Sequence, residues 1–242
     1  MLAVTDHDMV VQFKLKCIGG GLQFARRLDV VPGRLRIAGR MIVHNNESGG
    51  VEDQGTLHDL PRVNGRFVKG EVLRARGRFE EALPEYQTAL ALNRNLVTAL
   101  TGLAWWKLYT GLIDEVIPLE EQAIRLNPRD PATGSCYYLI GTVHLLQSRT
   151  CEAIDWLERA RSEMPAVGFP RSRLASAYAL RGETDRAAAE LAEARKLDRG
   201  DLFSSIARLK AFPGSWWGAP KIRALYEATY FAGLRRAGMP EV

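Results

Sequence analysis

Apolar and small residues return through the middle of the chain at helical spacing, and the pattern itself then recurs. Gly77, Gly111 and Gly182 mark three copies and Ser148 holds the same place in a fourth, at steps of 34, 37 and 34 residues. The longer step carries three extra residues, Pro131–Thr133, after "NPRD". Five residues beyond the markers stand Ala82, Val116, Ala153 and Ala187, and seven further Ala89, Ala123, Ala160 and Ala194. Small residues at fixed places let two helices cross closely. A Gly or Ser marker suits the left-handed residue that ends a helix. Pro128 and Pro165 forbid continuation of the helix before them. The spacing therefore predicts four antiparallel helix pairs, Val63–Leu96, Val97–Asp130, Gly134–Val167 and Gly168–Asp201, with one helix before each marker and one after. Leu100 and Leu103 are expected in the core, as are Ile154 and Leu157, with Glu158, Arg159 and Arg161 mostly facing away.

The two ends read differently, and three regions result: 1–62, 63–201 and 202–242. "LFSSIARLKAF" predicts a short helix, "PGSWWGAP" breaks the pattern, and "KIRALYEATYFAGLRRAG" predicts a final amphipathic helix. Ile222, Leu225, Tyr226, Tyr230 and Leu234 are expected to cap the array, since the last apolar face of a repeat stack has no neighbour. Trp216 and Trp217 are expected to pin that helix. Near the start, Arg34–Val43 alternates, with Arg34, Arg36 and Arg40 on one side and Leu35, Ile37 and Met41 on the other. That is strand period. "LQFARRLDV" is the candidate partner strand across a Pro–Gly turn. His44–Gly55 reads as a flexible linker.

Composition adds little to the fold but narrows the chemistry. Hydrophobic residues make up 46% and charged residues 25% of the 242, as in ordinary globular proteins. The net charge of +5 lies mostly in 202–242, where 6 Lys/Arg face 2 Asp/Glu; residues 63–201 balance at 19 each. The array thus has no net drive towards nucleic acid. "YYLIGTVHLL" is too short to span a bilayer, and the acidic first residues do not resemble a signal peptide. Cys17, Cys136 and Cys151 show no metal spacing and are expected to be free, buried thiols in a reducing cytoplasm. "IGGGLQ" lacks the residues of a phosphate-binding loop. His7, His44, His58 and His144 are scattered, and Asp6 and Asp8 lie near the chain start. No nucleophile constellation is present. The expectation is a cytoplasmic protein without catalytic, metal or cofactor residues.

At this period the repeats resemble the tetratricopeptide repeat, a helix pair of about 34 residues. The resemblance implies an all-α, right-handed superhelix, to which the end segments read above add a C-terminal capping helix and a small N-terminal β-hairpin appendage. It also implies a concave groove lined by the first helix of each pair. Carried onto this chain, the groove presents Phe67, Glu71 and Arg74; then Thr101, Trp105, Leu108 and Tyr109; then Tyr138, Thr142 and Leu145; and finally Phe169, Ser172 and Ser176. Chaperone-binding relatives hold a peptide carboxylate with Lys and Asn at two of these positions. Here the places hold Phe67 and Glu71, Thr101 and Trp105, Tyr138 and Thr142, and Ser172 and Ser176, so that clamp is absent. A neutral, aromatic groove suits an apolar segment of a partner protein; the alternative is that its aromatics pack on the hairpin, the tail or another copy of the chain.

The stretches "YYLIGTVHLLQSRTCEAIDWLERARSEMP", "LASAYALRGETDRAAAELAEARKLD", "SSIARLK" and "IRALYEATYFAGLRRAGMPEV" resemble the C-terminal region of bacterial adenylate/guanylate cyclase-like proteins, over roughly Lys69–Val242. A fainter likeness joins "VPGRLRIAGRMIVHNNESGG" to the last hairpin of their TolB-like segment. The 62 residues before the repeats hold neither the paired aspartates of a cyclase nor room for a complete winged helix. The resemblance thus implies the regulatory arm of a cyclase-like signalling system, not cyclase activity. Expected partners are a protein or peptide segment, a separate cyclase-type catalytic chain, or a second copy of the chain; the alternative is a relic without a partner. Nucleic acid and membrane are not expected partners.

Overall fold

The computed structural model describes residues 28–31, 34–37, 60–130, 132–198, 201–212 and 218–242. Strands β1 (Leu28–Val31) and β2 (Arg34–Ile37) pair antiparallel, with Val31 opposite Arg34. β2 covers the first part of the alternating Arg34–Val43 stretch, and residues 38–43 lie outside the described residues.

Helix follows helix from Leu60 onward. The first pair is α1 (Leu60–Ala75) and α2 (Phe79–Leu92), and the second is α3 (Val97–Thr110) and α4 (Val116–Leu126), joined through a 3-10 turn at Ile113–Glu115. The third is α5 (Thr133–Leu146) and α6 (Thr150–Glu163), and the fourth α7 (Gly168–Leu180) and α8 (Thr184–Leu197). Each second helix also packs on the first helix of the next pair, so the pairs stack in chain order. α1 opens three residues before the predicted start at Val63.

The markers act as helix ends. Gly77, Gly111 and Gly182 have φ of 73°, 97° and 82°, and Ser148 takes 60° although it carries a side chain. Around all four the backbone closes the same two bonds. Gly77 N–H donates to Arg74 O and Arg78 N–H to Leu73 O, with equivalents at Gly111, Ser148 and Gly182. This double closure satisfies carbonyls that a helix end leaves unpaired.

Close approach holds each pair together. A Cβ at Gly70 would lie 2.8 Å from Tyr86 Cε1, and one at Gly141 2.7 Å from Leu157 Cγ. Ala82, Ala89, Val116, Ala123, Ala153, Ala160, Ala187 and Ala194 are all fully buried. Leu100, Ile154 and Leu157 join the core as expected; Leu103 is only half-buried. α5 is buried at every residue except Tyr137. It is packed by α4, α6, α7 and the C-terminal region, which accounts for the unbroken apolar run in its sequence.

After α8, Asp198 Oδ2 accepts from the amides of Leu202 and Phe203. α9 (Ile206–Ala211) follows, its first turn capped by Ser205 Oγ, which accepts from Arg208 N–H at 3.2 Å. α10 (Pro220–Tyr226) runs through a π turn (Glu227–Phe231) into α11 (Ala232–Arg236). These three segments form one last helix. Its buried stripe is Ile222, Tyr226, Tyr230 and Leu234, with Leu225 half-buried. The chain end then returns to α9, where Ile206 N–H donates to Pro240 O and Ala207 N–H to Glu241 O, both at 2.9 Å.

Candidate protein-binding groove

The first helices α1, α3, α5 and α7 carry the groove positions, and what covers them changes along the array. At the α1 end Phe67 is half-buried, its ring 6.5 Å from Tyr86. Glu71 accepts from Arg74 Nη2 at 2.6 Å and from Tyr86 OH at 2.6 Å. Burial works to raise the Glu71 carboxyl, yet the Arg74 charge and these hydrogen bonds hold it below its ordinary value. The Arg74 guanidinium lies 5.9 Å from the Trp105 ring and 5.8 Å from that of Tyr109. The Glu71 and Arg74 side chains keep 32% and 19% of their exposure.

On α3 the positions diverge. Thr101 turns towards the neighbouring helices, donating to Glu120 Oε2 of α4 at 3.2 Å and lying 3.7 Å from Cys136 Sγ of α5. Trp105 is 9% exposed and lies between Tyr109 and Tyr138, its ring tilted against both at centroid distances of 6.3 and 6.0 Å. Tyr109 is half-buried against Phe79, and Leu108 is fully buried.

The α5 and α7 positions are not open. Tyr138, Thr142, Leu145, Phe169, Ser172 and Ser176 are all buried. Several of them meet the chain's own last helix, which packs on α7 and also touches α5 and α3. Ser172 Oγ lies 2.8 Å from Tyr230 OH, and Ser176 Oγ donates to Tyr230 O at 2.9 Å. A Cβ at Gly233 would sit 2.1 Å from Ser176 Oγ. Thr142 Oγ1 donates back to Tyr138 O at 2.7 Å. These six, and Leu108 of α3, are therefore not open to a partner, and on α5 and α7 the alternative of packing on the chain's own tail holds. The apolar stripe of the last helix needs a face, and the inner side of α5 and α7 supplies it.

Two side chains that the groove positions do not include shape the interior. Arg173 of α7 is 1% exposed. Its guanidinium lies 4.6 Å from the Tyr138 ring, 4.7 Å from Tyr230, 5.8 Å from Tyr226 and 5.9 Å from Phe169. Burial pushes the Tyr138 and Tyr230 hydroxyls up, and Arg173 partly opposes it. Glu120 of α4 is fully buried with Oε1 unpartnered. Both stand out in the aligned repeats. The places matching Arg173 hold Val68, Gly102 and Leu139, and those matching Glu120 hold Tyr86, Leu157 and Leu191. A polar residue where its counterparts are mostly apolar was the available signal.

His144 is 8% exposed, and burial, with Arg149 nearby, lowers its pKa. Cys136 is buried, but Cys151 is exposed, against the expectation of a buried thiol. Asp6, Asp8, His7, Cys17, "IGGGLQ", His44, His58, Trp216 and Trp217 lie outside the described residues. Among the described residues, no group of three or more His, Cys, Asp or Glu is placed to hold a metal ion, and no helix is long and apolar enough to cross a membrane. A shallow recess of about 600 Å³ is lined by Ile113, Asp114, Ile117, Pro118, Val143, Gln147 and Arg149, none of them a groove position.

Residues 65–115 match the tetratricopeptide repeat family. The chain is similar to TTC0263, described as a thermophilic tetratricopeptide-repeat protein in Thermus thermophilus, at 22% identity over 72% of this chain and 99% of that one, with a TM-score of 0.50. The fold is a tetratricopeptide-repeat array. MamA from residue 41 onward, from Desulfovibrio magneticus RS-1, is similar at 15% identity over 73% of this chain and 95% of that one, with a TM-score of 0.51. At these identities the likeness speaks for the array alone. No curated protein matches the chain. Within the array, the four first helices share one inner side, and the last helix divides it into an occupied part on α5–α7 and a less covered part on α1–α3.

Proposed function

We propose that the chain is a non-catalytic protein-interaction scaffold whose partner segment docks on the inner side of α1 and α3. One observation carries this reading: the occupied α5–α7 face leaves Phe67, Thr101, Tyr109 and the Glu71–Arg74 pair as the groove positions that keep exposure beside buried aromatics. An apolar side chain of the partner meets Phe67 and Tyr109 there, and a polar group meets the Glu71–Arg74 pair. Aromatic and Arg side chains of this kind dominate binding energies at protein interfaces. Trp105 supports the surface from beneath, and Thr101 positions α3 through Glu120.

The test is affinity capture by the full chain beside Phe67→Ala and Tyr109→Ala variants with unchanged helix content. A partner lost from both variants supports the site, and one retained equally by both sinks it. A separate cyclase-type catalytic chain is a partner of this class, proposed from the sequence resemblance alone. Co-purification of such a chain with the wild type, lost in Phe67→Ala, would place the protein as its regulatory arm. Self-association would appear instead as a concentration-dependent mass in sedimentation.

A further inference from the structure

Arg173 carries a full charge inside the array without a carboxylate to balance it. Among the described residues, no Asp or Glu forms an ion pair with it, and its Nε and Nη1 have no hydrogen-bond partner. Nη2 reaches only Tyr226 OH, at 3.5 Å. The surrounding rings recover part of the desolvation through cation–π attraction, but aromatic faces do not satisfy N–H donors. A buried charge whose partner is missing is the costly half of a buried ion pair. The last helix therefore covers this face without completing it.

The fit of that helix shows what would complete it. Tyr230 sits over the guanidinium, with its ring centre 4.7 Å from Arg173 Cζ. A glutamate at this position would carry its carboxylate near that ring centre, at the distance of a charge-assisted hydrogen bond to the guanidinium. Three residues on, Gly233 lets the two backbones meet at Ser176. Four residues before, Tyr226 fills the neighbouring space, fully buried. Tyr226 immediately precedes a π turn, Glu227–Phe231, and Tyr230 lies within it, a feature found often at functional sites.

We propose that the inner face of α5 and α7 is a docking site for a partner helix of the pattern aromatic-x-x-x-Glu-x-x-Gly, and that the chain's own last helix, Pro220–Arg236, is the resident occupant it displaces. The glutamate pairs with Arg173, the glycine lies on Ser176, and the aromatic residue takes the place of Tyr226. This is a second site, beyond the one on α1–α3. Phe67 and Tyr109 stay unaltered throughout its test, so its failure would leave that reading standing.

The probe is a peptide of residues 218–242 carrying Tyr230→Glu, added to the full chain, with the unchanged peptide as control. The acidic peptide is expected to bind at least tenfold more tightly than the control and to speed amide exchange in residues 220–236 of the full chain at least tenfold. In Arg173→Met protein the two peptides should bind alike. Equal binding of both peptides to the wild type, or a preference that survives Arg173→Met, would overturn the proposal. Equal exchange by both peptides, with the chain running as a dimer, would also overturn it and make a second copy the occupant. Should neither peptide compete with the tethered helix, a double-mutant cycle within the chain decides. Tyr230→Glu is expected to lower the folding equilibrium constant at least tenfold less with Arg173 present than in the Arg173→Met background, and additive effects would sink the idea.

Discussion

Glu120 stands in the core where the other three pairs place Tyr86, Leu157 and Leu191. Burial pushes its carboxyl up to about 7, and hydrogen bonds from Cys136 and Thr101 only partly oppose that. The native state thus holds a proton that the unfolded chain releases near its ordinary value of 4.5. Stability from this group is full below about pH 4.5, falls as the pH rises towards 7, and levels off above it. The loss amounts to about 3 kcal/mol, at 1.36 kcal/mol per pH unit. Urea midpoints should therefore fall between pH 5 and pH 8 in the wild type and much less in Glu120→Gln; parallel declines would show that Glu120 is not the titrating group. Cys136, buried beside Glu120 with its thiol also pushed up, should resist alkylation until the chain unfolds, whereas exposed Cys151 reacts in the native state. Peptide mapping by mass spectrometry checks this. At this scale the sequence was only partly legible. Glu120 and Arg173 were missed although each is polar where the matching places of the other repeats are mostly apolar, and that signal alone does not say what surrounds them. Cys151, expected buried from its residue type alone, is exposed.

The helices themselves were legible because each carries its own end signal. Ser148 is the exception that measures the rule: it holds φ of 60° where the other markers are glycines. An L-residue pays for that conformation, so Ser148→Gly should stabilise the chain by about 1 kcal/mol, seen as a rise of a few degrees in Tm. No rise would mean that the Ser148 side chain compensates. Gly141 tests the crossing instead. A methyl group there meets Leu157 at 2.7 Å, and Gly141→Ala should cost about 1–3 kcal/mol in denaturant unfolding. Less legible was the destination of the last helix. Ile222, Tyr226, Tyr230 and Leu234 announce a buried stripe, yet a stripe at helical spacing states only that something covers it. Its location depends on Ser172, Ser176 and Gly233, and the two serines lie 61 and 57 positions before the glycine; no local pattern links them.

For the molecule as a whole, one helix serves as both end cap and groove filling. The largest core is continuous from Ala104 to Met239 and includes Tyr138, Phe169 and Leu174 together with Ile222, Tyr226 and Leu234. Removal of residues 218–242 should therefore not leave a trimmed monomer. It bares an aromatic inner face, and the truncated chain is expected to associate or precipitate in size-exclusion chromatography, while a well-behaved monomer would show that the array is complete without its cover. The fold class was readable from period alone. Whether the groove is open was not, because the positions that line a groove and the positions that bury a helix are the same ones.

The order of synthesis gives this cover a further meaning. The helix that fills the inner face is the last part of the described chain to be made, and its end is fastened only when Pro240 and Glu241 reach Ile206 and Ala207. At about 5–20 residues per second, the 25 residues from Gly218 to Val242 take roughly 1 to 5 seconds to add. For at least that interval the residues made earlier, Tyr138, Phe169 and Ser172 among them, lack the helix that buries them in the finished fold.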